Sequence, residues 1–165
     1  MVRYALRPAL SQDAVAIAGI YREYVLNGTA TFETEPPDAD EIVRRMEAVQ
    51  HLGLPYLVAE DAGRIVGYAY AGRFRPRPAY RFTVEDSIYI VPAHLGHGLG
   101  GMLLRELMAG CRSAEVKQMI AVMGGDNPAS VALHRRHGFE HVGVLREVGF
   151  KFDQWLNVTL MQSAL

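Results

Sequence analysis

The stretch from Val84 to Leu104, VEDSIYIVPAHLGHGLGGMLL, constrains this chain more than any other. Ile88, Tyr89, Ile90 and Val91 are β-branched or aromatic, and Pro92 ends the run, so they predict a strand. Gly96, Gly98, Gly100 and Gly101 follow. Then Met102, Leu103, Leu107 and Met108 recur at helical spacing. A strand that turns through glycines into a helix start is an anion cradle. The first N–H groups of a helix have no intrahelical partner, and the helix dipole adds partial positive charge there. Glycines weaken a helix start, so four of them predict a ligand whose phosphates must come close to bare backbone.

Two nucleotide-binding patterns can be set against this loop. A Walker-type loop requires Lys followed by Ser or Thr after its glycines, and neither pair is present. The dinucleotide fingerprint Gly-x-Gly-x-x-Gly matches formally at Gly96, Gly98 and Gly101. That fingerprint opens a βαβαβ unit, and too little chain follows this loop to build one.

The remaining sequence bounds the partner. At 165 residues the chain is expected to form one domain, 1–165, with a core of its own. A formal net charge of −1 gives no reason to expect nucleic acid or an acidic membrane. Cys111 is the single cysteine, so no internal disulfide can form, and a small buried hydrophobe is its expected role. The first residues lack the apolar core of a signal peptide, and no run approaches a membrane span, so a cytoplasmic protein is expected. His94, His97 and His137 have no acidic or cysteine partners at metal-ligand spacing, so no metal is expected.

Taken in order, Val2, Tyr4 and Leu6 predict a first strand closed by Pro8. Ser11 is read as the N-cap of a helix carrying Val15, Ile17, Ile20, Tyr21, Tyr24 and Val25. Residues 29–37 read as an irregular segment, in which Phe32 on spacing alone is a loop anchor. Asp38 or Asp40 caps a second helix. Tyr56 to Glu60 and Ile65 to Ala71 are strands joined by a turn at 61–64. Four arginines and two prolines between 72 and 81 form a loop, since prolines forbid a central strand there. Its guanidinium groups suit a carboxylate or phosphinate, gripped by paired hydrogen bonds. Gln118 to Met123 is a buried strand, Ala129 to His137 a helix, and two further strands finish the chain. The interleaving predicts an α/β (α+β) fold with a mixed central sheet of about seven strands and about four helices on both faces.

Two separated motifs carry a resemblance. One is Leu95-Gly96-His97-Gly98-Leu99-Gly100; the other is Asn127-x-x-Ser130-x-x-x-His134-x-x-x-Gly138-Phe139. In this order they resemble the two cofactor-binding motifs of the GNAT superfamily of acetyl-CoA-dependent N-acetyltransferases. Residues 29–36, Ala79-Tyr80, Thr83-Val84-Glu85-x-Ser87-Ile88-Tyr89-Ile90 and Gly149-Phe150-Lys151-Phe152 further resemble the phosphinothricin acetyltransferases, whose relatives act on methionine sulfoximine and methionine sulfone. Leu95 departs from the usual Gln or Arg at the first loop position.

The resemblance implies acetyl-CoA as cofactor, a small amino-acid substrate and a homodimer. It implies that the backbone of Ile88, Tyr89 and Ile90 pairs with the pantetheine arm. Gly96, His97, Gly98, Leu99, Gly100 and Gly101 would take the pyrophosphate, and Asn127 and Ser130 would lie against the cofactor arm. Phe32, Phe74, Arg75, Arg77, Tyr80, Thr83 and Glu85 would surround the amine substrate. Glu85 is the implied general base and needs burial to raise its pKa. His134 is expected either to protonate the leaving thiolate or to hold the site electrostatically. The N–H groups of Ile90 and Val91 are expected to meet the negative charge that develops on the thioester oxygen. Other acceptors, an ordinary amino acid, a polyamine or a peptide N-terminus, fit the same chemistry. An acyl-CoA sensor without turnover would have no need of a base.

Overall fold

Strand-forming and helix-forming segments alternate along the chain as their periodicities require. The computed structural model describes residues 4–165, with strands β1 (Ala5–Pro8), β2 (Tyr56–Asp61), β3 (Arg64–Arg73), β4 (Thr83–Ile90), β5 (Gln118–Gly124), β6 (Glu140–Lys151) and β7 (Gln154–Ala164). The helices are α1 (Ala14–Asn27), α2 (Ala39–His51), α3 (Leu99–Ser113) and α4 (Pro128–Arg136). Val2 and Arg3, expected in the first strand, lie outside the described residues. No helix among the described residues is long and apolar enough to cross a membrane.

Helix caps decide two boundaries. Asp38, not Asp40, caps α2 by accepting from the Glu41 N–H at 2.8 Å. Ser11 does not cap α1. It opens a short 3-10 turn, Ser11–Asp13, and Asp13 instead accepts from the Leu10 N–H at 2.8 Å while pairing with Arg7 at 2.7 Å.

The seven strands form one mixed sheet in the order β1-β2-β3-β4-β5-β7-β6. All neighbours run antiparallel except β4 and β5. Side chains alternate across a strand, so β4 serves two cores. Val84 and Ile90 join Leu103, Leu104, Leu107 and Cys111 of α3 on one face. Tyr89 packs with Ile17, Ile20 and Tyr21 of α1 and Met46 of α2 on the other. Each fully buried leucine of α3 contributes about 2 kcal/mol of apolar transfer energy, which fixes the helix that follows the glycine loop.

The parallel pair is short. Its register runs Thr83↔Gln118, Val84↔Met119, Glu85↔Ile120 and Asp86↔Ala121, and there it stops. Both strands continue, β4 to Ile90 and β5 to Gly124, with β5 held only by β7 over its last residues. A gap therefore opens between Ser87–Ile90 and Val122–Gly124. Helices α3 and α4 begin beyond the carboxyl ends of these two strands, where open α/β sheets bind ligands.

Candidate active site

The gap has one peptide edge to offer, set by the ladder with β3. The Val91 N–H donates to the Val66 carbonyl at 2.8 Å, and the Phe74 N–H donates to the Thr83 carbonyl. Antiparallel pairing alternates, so residues 83, 85, 87, 89 and 91 turn their peptide groups toward β3. The even residues turn theirs toward the gap. Tyr89 thus spends its peptide groups on its partner Tyr68. Ile90 is engaged from outside the sheet: the Tyr24 hydroxyl donates to its carbonyl at 2.6 Å, and its N–H lies 3.3 Å from the Tyr24 oxygen. Of the three, Ile88 and Ile90 turn their peptide groups toward the gap, and Tyr24 already engages those of Ile90. The expected use of the Val91 N–H against a developing negative charge is corrected, because that donor is committed to the sheet.

The glycine loop divides its work. Gly96 and Gly98 adopt φ of 76° and 82°, with nothing within 4 Å of where a Cβ would stand. There glycine serves backbone conformation. Gly100 and Gly101 lie inside α3, where a Cβ would meet Leu133 Cδ2 and His137 Cε1, each at 3.2 Å. These two let α4 pack closely on α3, so close approach of a ligand is not what requires them. Leu99 is buried in the core and offers only backbone, while Leu95 is exposed. Gly98 is the N-cap of α3, and among the described residues no side chain caps that terminus. The leading N–H groups of α3 are thus open to a phosphate. His97 Nδ1 donates to the Leu95 carbonyl at 2.8 Å, which tightens the loop.

At the second helix start, Asn127 accepts from the Ser130 N–H at 3.1 Å and caps α4, leaving its amide N–H₂ to donate elsewhere. Ser130 Oγ lies 3.3 Å from His134 Nδ1. An uncapped helix terminus, an open peptide edge at Ile88 and a donor amide at Asn127 fit a ligand with a diphosphate and an amide-bearing arm.

Glu85, Ser87, Thr83 and Tyr89 share the face of β4 that carries α1 and α2. Glu85 is half-buried. Burial pushes its carboxyl up, the neighbouring Asp86 charge adds to this, Arg75 opposes it, and the result is about 6. Arg75 stacks its guanidinium 4.3 Å over the Phe74 ring, and Phe74 meets Tyr80 edge-on with ring centres 5.7 Å apart. Arg77 is exposed and precedes the turn Pro78–Tyr80.

Phe32 is both anchored and open. Its ring lies on Gly124 of β5 and Gly149 of β6, at points where any Cβ would overlap it, yet 37% of the residue stays exposed. The segment around it is tied down twice. Lys151 Nζ donates to the Gly28 and Thr31 carbonyls at 2.8 and 2.9 Å. Glu33 takes Arg45 Nη1 at 2.7 Å and the Tyr21 hydroxyl at 2.9 Å.

His134 is placed otherwise than a free proton donor requires. The Asp86 side chain points to the face opposite Glu85, and His134 Nε2 lies 2.9 Å from its Oδ2. Nδ1 lies 2.8 Å from the Ser130 carbonyl, and the ring is buried edge-on to Phe139. Both ring nitrogens are engaged within the protein, which favours the electrostatic holding role over thiolate protonation. Tyr24, Lys151 and Asp86 escaped the sequence reading. Tyr24 carried only helical spacing, Lys151 stood in the motif Gly149 to Phe152 without a role of its own, and Asp86 stood beside the more conspicuous Glu85.

The acetyltransferase (GNAT) domain model matches residues 6–160. The chain belongs to the GNAT acetyltransferase family. It is 48% identical over 161 residues to a phosphinothricin N-acetyltransferase of Alcaligenes faecalis, covering 97% of this chain and 82% of that protein. It is 39% identical over 160 residues to an L-methionine sulfoximine/L-methionine sulfone acetyltransferase of Salmonella typhimurium, covering 97% and 94%. The crystal structure of a GNAT superfamily phosphinothricin acetyltransferase from Sinorhizobium meliloti in complex with AcCoA superposes with a TM-score of 0.97 at 48% identity. That match covers 99% of this chain and 89% of the other. This GNAT enzyme is accordingly an acetyltransferase whose cofactor is acetyl-CoA.

Proposed function

We propose that this GNAT enzyme acetylates the α-amine of a small amino acid bearing a phosphinate, sulfoximine or sulfone group, by direct transfer with Glu85 as general base. The observation that carries the reading is the Glu85 carboxyl, pushed up to about 6 on the strand that borders the gap. An α-amino group is mostly protonated at neutral pH, and a carboxylate raised toward neutrality is a far better proton acceptor than one in water. The names of the relatives, phosphinothricin N-acetyltransferase and L-methionine sulfoximine/L-methionine sulfone acetyltransferase, support the substrate class.

Acetyl-CoA, when bound, supplies the activated acetyl thioester. The Ile88 peptide edge and the Asn127 amide are the groups suited to its arm, and the open N–H groups of α3 after Gly98 to its diphosphate. Arg75 and Arg77 would hold the acceptor's carboxylate or phosphinate. Phe32, Phe74, Tyr80 and Thr83 would close the acceptor pocket against longer side chains. Glu85 takes the amine proton, directly or through one water.

A second copy of the chain is the proposed partner. Val142, Val144, Val148, Phe150 and Trp155 stand exposed on and beside the edge strand β6, an area that calls for a cover. Sedimentation velocity tests this: a single species at monomer mass down the dilution series and up it would exclude the dimer. With one cysteine and no disulfide, a cytoplasmic setting is the consistent one.

The deciding experiment is a coenzyme A release assay with L-phosphinothricin, methionine sulfoximine and methionine sulfone beside ordinary amino acids, a polyamine and a peptide. The three named acceptors should give the highest kcat/KM. A preference for the polyamine or peptide would replace this reading.

A further inference from the structure

We propose that Asp86 is a positioning residue: it holds His134 as an imidazolium in a buried ion pair that pins α4 to β4 at the point where β4 and β5 part. The inference deepens the acetyltransferase reading and rests on it for its kinetic arm only.

The protonation state follows from the partners. A carbonyl oxygen only accepts, so Nδ1, 2.8 Å from the Ser130 carbonyl, carries a hydrogen. An ionised carboxylate also only accepts, so Nε2, 2.9 Å from Asp86 Oδ2, carries the other. Both residues are buried, His134 at 4% and Asp86 at 7% exposure. Among the described residues Asp86 Oδ1 is buried with no hydrogen-bond partner, so His134 is the group that compensates the carboxylate. A buried carboxylate left without such a partner is costly, and this cost ties the strand to the helix. The electrostatics point the same way: burial pulls the imidazole down, but Asp86 and the Ser130 carbonyl outweigh it and hold it above its ordinary value. The other titratable groups that feel the Asp86 charge are Glu85 on the same strand and Cys111 on α3.

Position gives the pair its role. Asp86 is the last β4 residue paired with β5. The next gap-facing residue is Ile88. Helix α4 carries Asn127 at its N-cap, seven residues before His134 in the chain. Fixing His134 to Asp86 therefore fixes both the width of the gap at its closed end and the orientation of the α4 start. It also holds the backbone that presents Glu85 on the opposite face.

The test has a direct arm and a kinetic arm. In the wild-type protein, ¹⁵N NMR of the histidine rings should show both His134 nitrogens still protonated at pH 7, where an ordinary histidine with a pKa of about 6.5 is mostly neutral. A bare ring nitrogen at that pH would overturn the proposal, whatever the substrate proves to be. In the kinetic arm, Asp86→Asn can donate to Nε2 and keep the geometry with a neutral ring, whereas Asp86→Ala cannot. Asp86→Ala should lose kcat/KM by up to about a hundredfold, the scale of a small misplacement of reacting groups, and weaken acetyl-CoA binding in calorimetry. Asp86→Asn should recover most of both. Equal impairment of the two variants, or full activity of Asp86→Ala, would remove the positioning role. Should both variants misfold, the wild-type spectrum still decides.

Discussion

Glu85 and Asp86 are adjacent in the chain and project from opposite faces of β4. One stands half-buried over the α1 and α2 side; the other is sealed against α3 and α4 with His134 at 2.9 Å. The Asp86 charge still reaches through the strand and helps to raise the Glu85 carboxyl to about 6. One dipeptide thus serves proton transfer on one face and helix placement on the other.

Replacing Glu85 by Gln removes the base while keeping its size. Turnover should fall by about a hundred- to ten-thousandfold, with acetyl-CoA affinity by calorimetry unchanged. The wild-type kcat/KM should rise with pH through about 6 as Glu85 ionises, and this limb should vanish in the variant. A retained limb would assign the proton to another group.

Gly98 and Gly101 should respond differently to alanine. Gly98 has φ of 82° and empty space around it, so Gly98→Ala costs about 1–2 kcal/mol of conformational strain and raises the acetyl-CoA Kd. Gly101→Ala keeps its N–H and instead crowds His137 at 3.2 Å. Its effect should fall on the melting temperature rather than on Kd. Calorimetric titration of both variants beside thermal unfolding separates the two.

Gly124 is the seat of the Phe32 ring. A Cβ there would lie 2.6 Å from Phe32 Cε1 and 2.7 Å from the Thr29 carbonyl. Gly124→Ala should destabilise the fold by about 1–3 kcal/mol through overpacking and raise the amino-acid KM, with the acetyl-CoA Kd little changed. Denaturant unfolding and steady-state kinetics read both.

His134 imposes a pH dependence on stability. Its pKa is raised in the folded protein, so its contribution is complete below the unfolded value of about 6.5 and is lost as pH rises through the folded value. The melting-temperature difference between wild type and Asp86→Asn should be largest near pH 6 and shrink on alkalinisation. A difference that grows with pH would contradict the ion pair.

The fold was legible because its signals are local. Alternation, helical spacing, the Asp61–Arg64 turn and the glycine run each reside within a dozen residues, and the sheet follows from their interleaving. The loop motif and the Asn127 to Phe139 motif likewise marked both helix starts that border the gap. What escaped depends on contacts that no local pattern encodes. Tyr24 reaches Ile90 across 66 positions, and Lys151 reaches Thr31 across 120. The four glycines look alike in sequence, yet two serve backbone conformation and two serve helix packing. Ser11 resembled an N-cap, but the Arg7–Asp13 ion pair and a 3-10 turn took over that end of α1.

The short seam between β4 and β5 has a mechanical consequence. Four paired residues join a four-stranded plate to a three-stranded one, so the sheet behaves as two leaves with a narrow spine. Anything lodged between the leaves is gripped by both and stiffens the spine in return. Occupancy of the cleft is then written into how fast the amides of the spine trade hydrogen for deuterium.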